Sequence, residues 1–152
     1  MTLETVKDVL DWTQTLHQRL SEAYDEAAAE IGDERASMLL KYVAEHERVL
    51  SEAIKHFEKD SNVHLMDTWF QEYVNKMPFV KNFQALSQFS NTSPSAIIDV
   101  TIDTHQSLID MYSELAGIAK TARLKELFEE MQFLENSELK RMVSSMQRMY
   151  DL

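Results

Sequence analysis

The sequence predicts an all-α protein, a single domain over residues 1–152 built as a four-helix bundle. Three observations carry this. Apolar residues recur in alternating steps of three and four along four long segments, the period of a helix with one buried stripe. Gly and Pro number only two each, too few to punctuate the turns of an all-β chain. Hydrophobic residues make up 44% of the 152 and charged ones 27%, the composition of one globular domain with a proper core.

The elements follow in order. A first hairpin occupies about residues 3–58. Its first helix carries the seam Val6, Leu10, Thr13, His17, Leu20, Tyr24, Ala27 and Ile31. Gly32 reads as a helix stop and Asp33 as the N-cap of the next helix. That second helix gathers Met38, Leu39, Tyr42, Val43, His46, Val49, Leu50, Ala53 and Phe57 on one face, with His46 near its middle. Glu45 and Glu47 fall at the edge of this face and outside it, and with Arg48 they read as a solvated surface. Were the helix rotated, Arg48 would instead be placed to neutralise a core carboxylate.

Residues 59–93 break the period. Asp60, Ser61 and Asn62 form a polar joint, and Pro78 interrupts two apolar clusters that include Trp69, Phe70, Tyr73, Phe79 and Phe83. Such aromatics require burial, so the segment reads as a long crossover with short helices lying across the bundle. Ser93 and Pro94 then restart a helix as N-cap and first helical residue. The second hairpin occupies about residues 94–150. Its seams are Ile98, Thr101, His105, Leu108, Tyr112, Leu115 and Ala119, then Leu124, Leu127, Phe128, Met131, Leu134, Leu139, Met142, Val143 and Met146, with Thr121 as the cap between them. Glu135 and Glu138 lie inside the last apolar arc. Unpaired charge there is costly, so two carboxylates in that arc require partners.

A repeat supplies those partners. The pattern H-Q-x-L-x-x-x-Y-x-E-x-A begins at His17 and again at His105, an offset of 88 residues, and marks two homologous hairpins. Residues facing one another across an antiparallel hairpin sit equally far from its turn. The midpoint of His17 and His46 falls at Ile31–Gly32, and that of His105 with Glu135 and Glu138 near Thr121. Both sets therefore stand on the order of 22 Å from their loops. Under twofold pseudo-symmetry His17, His46, His105, Glu135 and Glu138 are expected to share one core layer. Two histidines and a carboxylate suit Fe, Mn or Zn, with His17, His46 and Glu135 the leading trio; His105 and Glu138 would complete a second position bridged by Glu135. The bland reading is a metal-free network of imidazoliums and carboxylates. Tyr24 and Tyr112, two turns away, read as core packing; His56 and His64 read as surface or edge residues.

The whole chain resembles, in architecture, the ferritin-like superfamily, and rubrerythrin-type proteins in particular. Those have two hairpins, a long crossover, one carboxylate on the first and third helices, and Glu-x-x-His on the second and fourth. His17 and His105 stand where the family usually has glutamates. Val43-Ala44-Glu45-His46 then keeps a histidine and lacks the inward glutamate, since Val43 cannot bind metal. Glu135-Asn136-Ser137-Glu138 keeps the glutamate and replaces the histidine. The resemblance implies a protein binding one or two divalent transition metal ions, with oxygen- or peroxide-handling or redox activity as an oxidoreductase. The alternative is a non-catalytic bundle with a degenerate site that acts by homodimerisation or protein contact, its aromatic crossover offering apolar surface.

Several classes are disfavoured. A formal net charge of −11 repels phosphate backbones, which argues against nucleic acid. No apolar run is long enough for a membrane span, and the first residues lack the form of a signal peptide. The absence of cysteine removes disulfides and thiolate metal sites and fits a cytoplasmic location.

Overall fold

A computed structural model of the chain describes residues 5–60, 63–67 and 94–151. Among these residues the regular elements are helices: α1 (Val6–Glu30), α2 (Glu34–Asp60), the one-turn α3 (Val63–Met66), α4 (Pro94–Ile118) and α5 (Ala122–Asp151). The four long helices form the expected bundle of two hairpins. Of the crossover with short helices expected over residues 59–93, the one-turn α3 is described; residues 68–93, with Trp69, Phe70, Tyr73, Phe79 and Phe83, lie outside the described residues, as does the Ser93 cap. None of the helices is long and apolar enough to cross a membrane.

Local chemistry sets the helix ends. Thr5 and Asp8 form a reciprocal capping box, each side chain accepting from the other's backbone N–H at 3.2 and 3.1 Å. Asp33 caps α2 by accepting from the N–H groups of Arg35 and Ala36. Thr121 caps α5 by accepting from Leu124 N–H at 3.2 Å. The exit from α1 differs from expectation. The chain leaves through an extended Ile31, and Gly32 adopts no left-handed conformation, so the stop comes from the cap of α2 rather than from glycine.

Within each hairpin α1 packs along α2, and α4 along α5; the hairpins meet where α2 touches α5 and α4. The predicted seams of α1 and α4 are buried from end to end, apart from their half-buried last residues Ile31 and Ala119. In α2 the buried seam is Ala36, Leu40, Val43, Glu47, Leu50 and Ile54, with Leu39 and Ala44 beside it. The predicted face lay too far round: Met38 is 59% exposed and Val49 49%. Those two apolar side chains on the water-facing side drew the apparent centre of the stripe toward His46. At 100° per residue, a one-residue error exchanges Glu47 for His46. Arg48 stays outside, paired with Glu45 and Asp25.

The repeat runs much further than the H-Q-x-L signature. The same 88-residue offset carries Asp33 onto Thr121, both N-caps. It also carries the α2 seam onto Leu124, Phe128, Met131, Glu135, Glu138 and Met142, every one buried. Thr13 and Thr101 correspond as well, and each returns its hydroxyl to the carbonyl four residues earlier, which lets a polar side chain sit in the core.

The rotation of α2 is open to measurement. Leu40→Ala should cost about 2–5 kcal/mol in urea unfolding, whereas Met38→Ala should stay within about 0.5 kcal/mol of wild type. The reverse order would restore the face centred on His46.

Candidate metal centre

Four helices each deliver one ionisable side chain to the middle of the bundle. His17 comes from α1, Glu47 from α2, His105 from α4 and Glu135 from α5, and none has any exposed surface. They close a ring. Nδ1 of each histidine meets the carboxylate of its own hairpin, His17 to Glu47 at 2.5 Å and His105 to Glu135 at 3.1 Å. Nε2 of each meets the carboxylate of the other hairpin, His17 to Glu135 at 2.6 Å and His105 to Glu47 at 2.5 Å. The two imidazole rings lie 5.4 Å apart between centroids and are tilted by 33°. The arrangement obeys the twofold pseudo-symmetry of the repeat, atom type for atom type.

With both carboxylates ionised, hydrogen-bond accounting sets the protonation of the metal-free ring. An ionised carboxylate only accepts, so four contacts from four ring nitrogens need an N–H on each. Both histidines are then imidazoliums, and two positive charges balance two negative ones. Burial by itself disfavours every one of these charges. For His17 the Glu135 and Glu47 carboxylates overcome it and raise the pKa to about 9. For His105 the Glu47 and Glu135 carboxylates raise it to about 10. Against the same burial, the imidazoliums hold both Glu47 and Glu135 down to about 2.

Of the five residues singled out from sequence, the structure brings His17, His105 and Glu135 together and sets His46 and Glu138 apart. His46 points to the outer edge of the α2–α5 seam, its side chain 23% exposed and its ring 4.5 Å from that of Tyr42. Its Nδ1 lies 3.4 Å from Glu138 Oε2, and Glu138 also accepts from Arg141 at 3.1 Å. The single five-residue layer is thus corrected to a closed ring of four, flanked on one side by a partly exposed His46–Glu138 pair. The cause is the rotation of α2. His56 and His64 are exposed, as expected.

Glu47 is the residue that sequence reasoning missed. The signal was present: subtracting the repeat offset from Glu135 gives 47, and the step from Val43 to Glu47 to Leu50 continues a four–three seam. The α2 segment that corresponds to Glu135-Asn136-Ser137-Glu138 on α5 is therefore Glu47-Arg48-Val49-Leu50. Both keep an inward glutamate, and neither has the histidine three residues later. Tyr24 and Tyr112 are fully buried next to the ring. The Tyr24 hydroxyl shares a hydrogen bond with Thr101 at 3.2 Å. That of Tyr112 faces Thr13 without closing one. Burial, then the charge of Glu47 or Glu135, pushes both phenols above their ordinary pKa.

The ring makes stability depend on pH in a defined sense. The carboxylate contribution is present above the ordinary value of 4.5 and is lost as pH falls toward 2. The imidazolium contribution is present below 6.5 and is lost as pH rises through 9 and 10. Metal-free protein should accordingly resist urea best between pH 4.5 and 6.5 and weaken steadily up to pH 10. Glu47→Gln should cost roughly 3–5 kcal/mol at pH 6 and flatten the alkaline decline. A stability curve that is level from pH 6.5 to pH 10 would show the histidines to be neutral.

No family model matches the chain, and no curated protein matches it. A solved structure does. It comes from Thermotoga maritima and is described as a candidate ferritin-like diiron-carboxylate protein, with 16% sequence identity and a TM-score of 0.62 over 96% of both chains. At that identity the likeness speaks for architecture. The chain has the ferritin-like fold.

Proposed function

We propose that the chain binds one divalent transition metal ion in its core through His17, Glu47, His105 and Glu135. The observation that carries this is the donor set itself: two imidazoles and two carboxylates, one per helix, converging with no exposed surface. Ring-nitrogen and carboxylate-oxygen donors of His17, Glu47 and His105 lie within 4.8 Å of one another, close enough to hold a common ion. Imidazole and carboxylate donors suit iron, manganese or zinc. The description of the structural neighbour as a diiron-carboxylate protein agrees with a metal at this place in the fold. Here, however, two carboxylates stand where di-metal sites of this architecture use four, and that favours a single ion.

The chain's own part in binding is a proton exchange. The metal-free ring keeps a proton on Nδ1 and Nε2 of both histidines; an incoming dication needs one ring nitrogen of each with its lone pair free. Two protons leave and two positive charges enter, so the buried charge stays balanced. Leu10, Leu20, Leu50 and Leu108, all fully buried, line the same seams and exclude water. When bound, such an ion supplies Lewis-acid chemistry and, as iron or manganese, redox chemistry. We extend the reading to a redox or oxygen-handling role on the strength of the ferritin-like architecture.

A second reading has its own support. Every nitrogen of both rings already meets a carboxylate, so the ring is complete without an ion and would serve as a polar fastener between hairpins, in a protein that acts through its surface or as a homodimer. Anaerobic calorimetry with Fe(II), Mn(II) and Zn(II), on tag-free protein stripped by chelator, separates the two. Metal binding predicts one ion per chain and about two protons released per ion near pH 7, read from the heat in buffers of different ionisation enthalpy. His17→Ala and Glu47→Gln should weaken binding at least about a hundredfold, and His56→Ala should not. Absence of uptake by the wild-type chain would establish the fastener instead.

A further inference from the structure

Beside the His46–Glu138 pair, α2 and α5 line an open groove of about 440 Å³. Its α5 wall presents Arg141, Ser144, Ser145 and Arg148 at helical spacing, with Lys140 beside them; Tyr42 and His46, one turn apart, form the α2 wall. None of these residues is acidic, in a chain where 26 acids outnumber 15 lysines and arginines. Glu138 lies beside them, engaged by Arg141 at 3.1 Å and 3.4 Å from His46. Lys140, Arg141 and Arg148 thus bring three cations to the α5 wall. Arg148, in the last turn of α5, is explained by the helix dipole, but Lys140 and Arg141 lie about three turns from the helix end and are not.

We propose that this groove binds the phosphate group of a small molecule. Arginine forks match phosphate oxygens in pairs, and the hydroxyls of Ser144 and Ser145 add neutral donors on the same face. Arg148 Nη2 already donates to Ser145 Oγ at 3.2 Å, which ties one guanidinium to the α5 wall. A carboxylate ligand would saturate with fewer donors than three cations and two hydroxyls provide. The groove is larger than a lone phosphate and leaves room along its wall for an organic part of the ligand. The tilted Tyr42–His46 rings, 4.5 Å apart, form an aromatic wall for the organic part of the ligand. The groove and the core ring share no donor, so this proposal does not depend on metal binding.

Phenyl phosphate is the probe, titrated into the isotope-labelled, metal-free full chain and followed by amide chemical shifts. Sodium chloride at equal ionic strength is the reference. The proposal expects saturable shifts confined to residues around Tyr42, His46, Ser144 and Ser145. Lys140→Ala combined with Arg148→Ala should weaken binding at least roughly tenfold, and Lys120→Ala combined with Lys125→Ala should leave it unchanged. Both double variants lie on the surface, and their circular dichroism should match wild type. Shifts no larger than those from chloride would overturn the proposal, as would shifts centred elsewhere or an affinity insensitive to the Lys140 and Arg148 changes.

Discussion

Charge neutrality inside the bundle is the constraint on which the rest of this structure depends. Four ionisable groups without water contact would be untenable singly, and desolvation weighs against each of them. They persist because every ring nitrogen meets an oxygen and each carboxylate receives one histidine from either hairpin. That pairing fixes the rotation of all four helices at once. If α2 turned by one residue, Glu47 would leave the ring, both histidines would lose an acceptor, and Met38 and Val49 would gain nothing comparable. The apolar layers above and below allow small adjustments of helix rotation; the ring does not.

The same constraint shapes how the site relates to its fold. In ferritin-like metal sites carboxylates come from the first and third helices and Glu-x-x-His from the other two. Here the imidazoles stand on α1 and α4 and the glutamates on α2 and α5, so the ring contains both residue types with fewer groups. Leu50 and Glu138 occupy the places three residues on. Leu50 closes one side with hydrocarbon. Glu138 instead turns outward to His46 and Arg141, so the ring has one apolar flank and one polar flank that reaches the surface. This asymmetry is the main departure from the twofold relation between the hairpins.

Much of this was legible in the sequence. The seams of α1 and α4, the N-caps at Asp33 and Thr121 and the level of His17, His105 and Glu135 followed from spacing alone, because steric period and hydrogen-bonding demand are local. The rotation of α2 was not local. Its apolar residues span a wide arc, and only contact with three other helices decides which part is buried; Met38 and Val49 are apolar yet exposed, and Glu47 is charged yet buried. Composition favoured the wrong arc. The repeat offset held the correct answer, since it treats Glu47 as the counterpart of Glu135 without asking about polarity. The crossover is equally prominent in the sequence, but its aromatic residues Trp69, Phe70, Tyr73, Phe79 and Phe83 lie outside the described structure.

The two-way linkage of each histidine bears on how the chain assembles. His17 and Glu47 are 30 residues apart, as are His105 and Glu135, whereas the contacts between hairpins span 58 and 118 residues. Short loops close at lower entropic cost than long ones, so chain entropy favours the imidazolium–carboxylate pair within each hairpin over the contacts between hairpins. Each half then approaches the other with the polar stripe on its apolar face balanced in charge. Docking dehydrates two dipoles set head to tail, not two unbalanced ions, and the late step of folding is spared an electrostatic barrier that either hairpin would impose if its histidine or its glutamate stood alone.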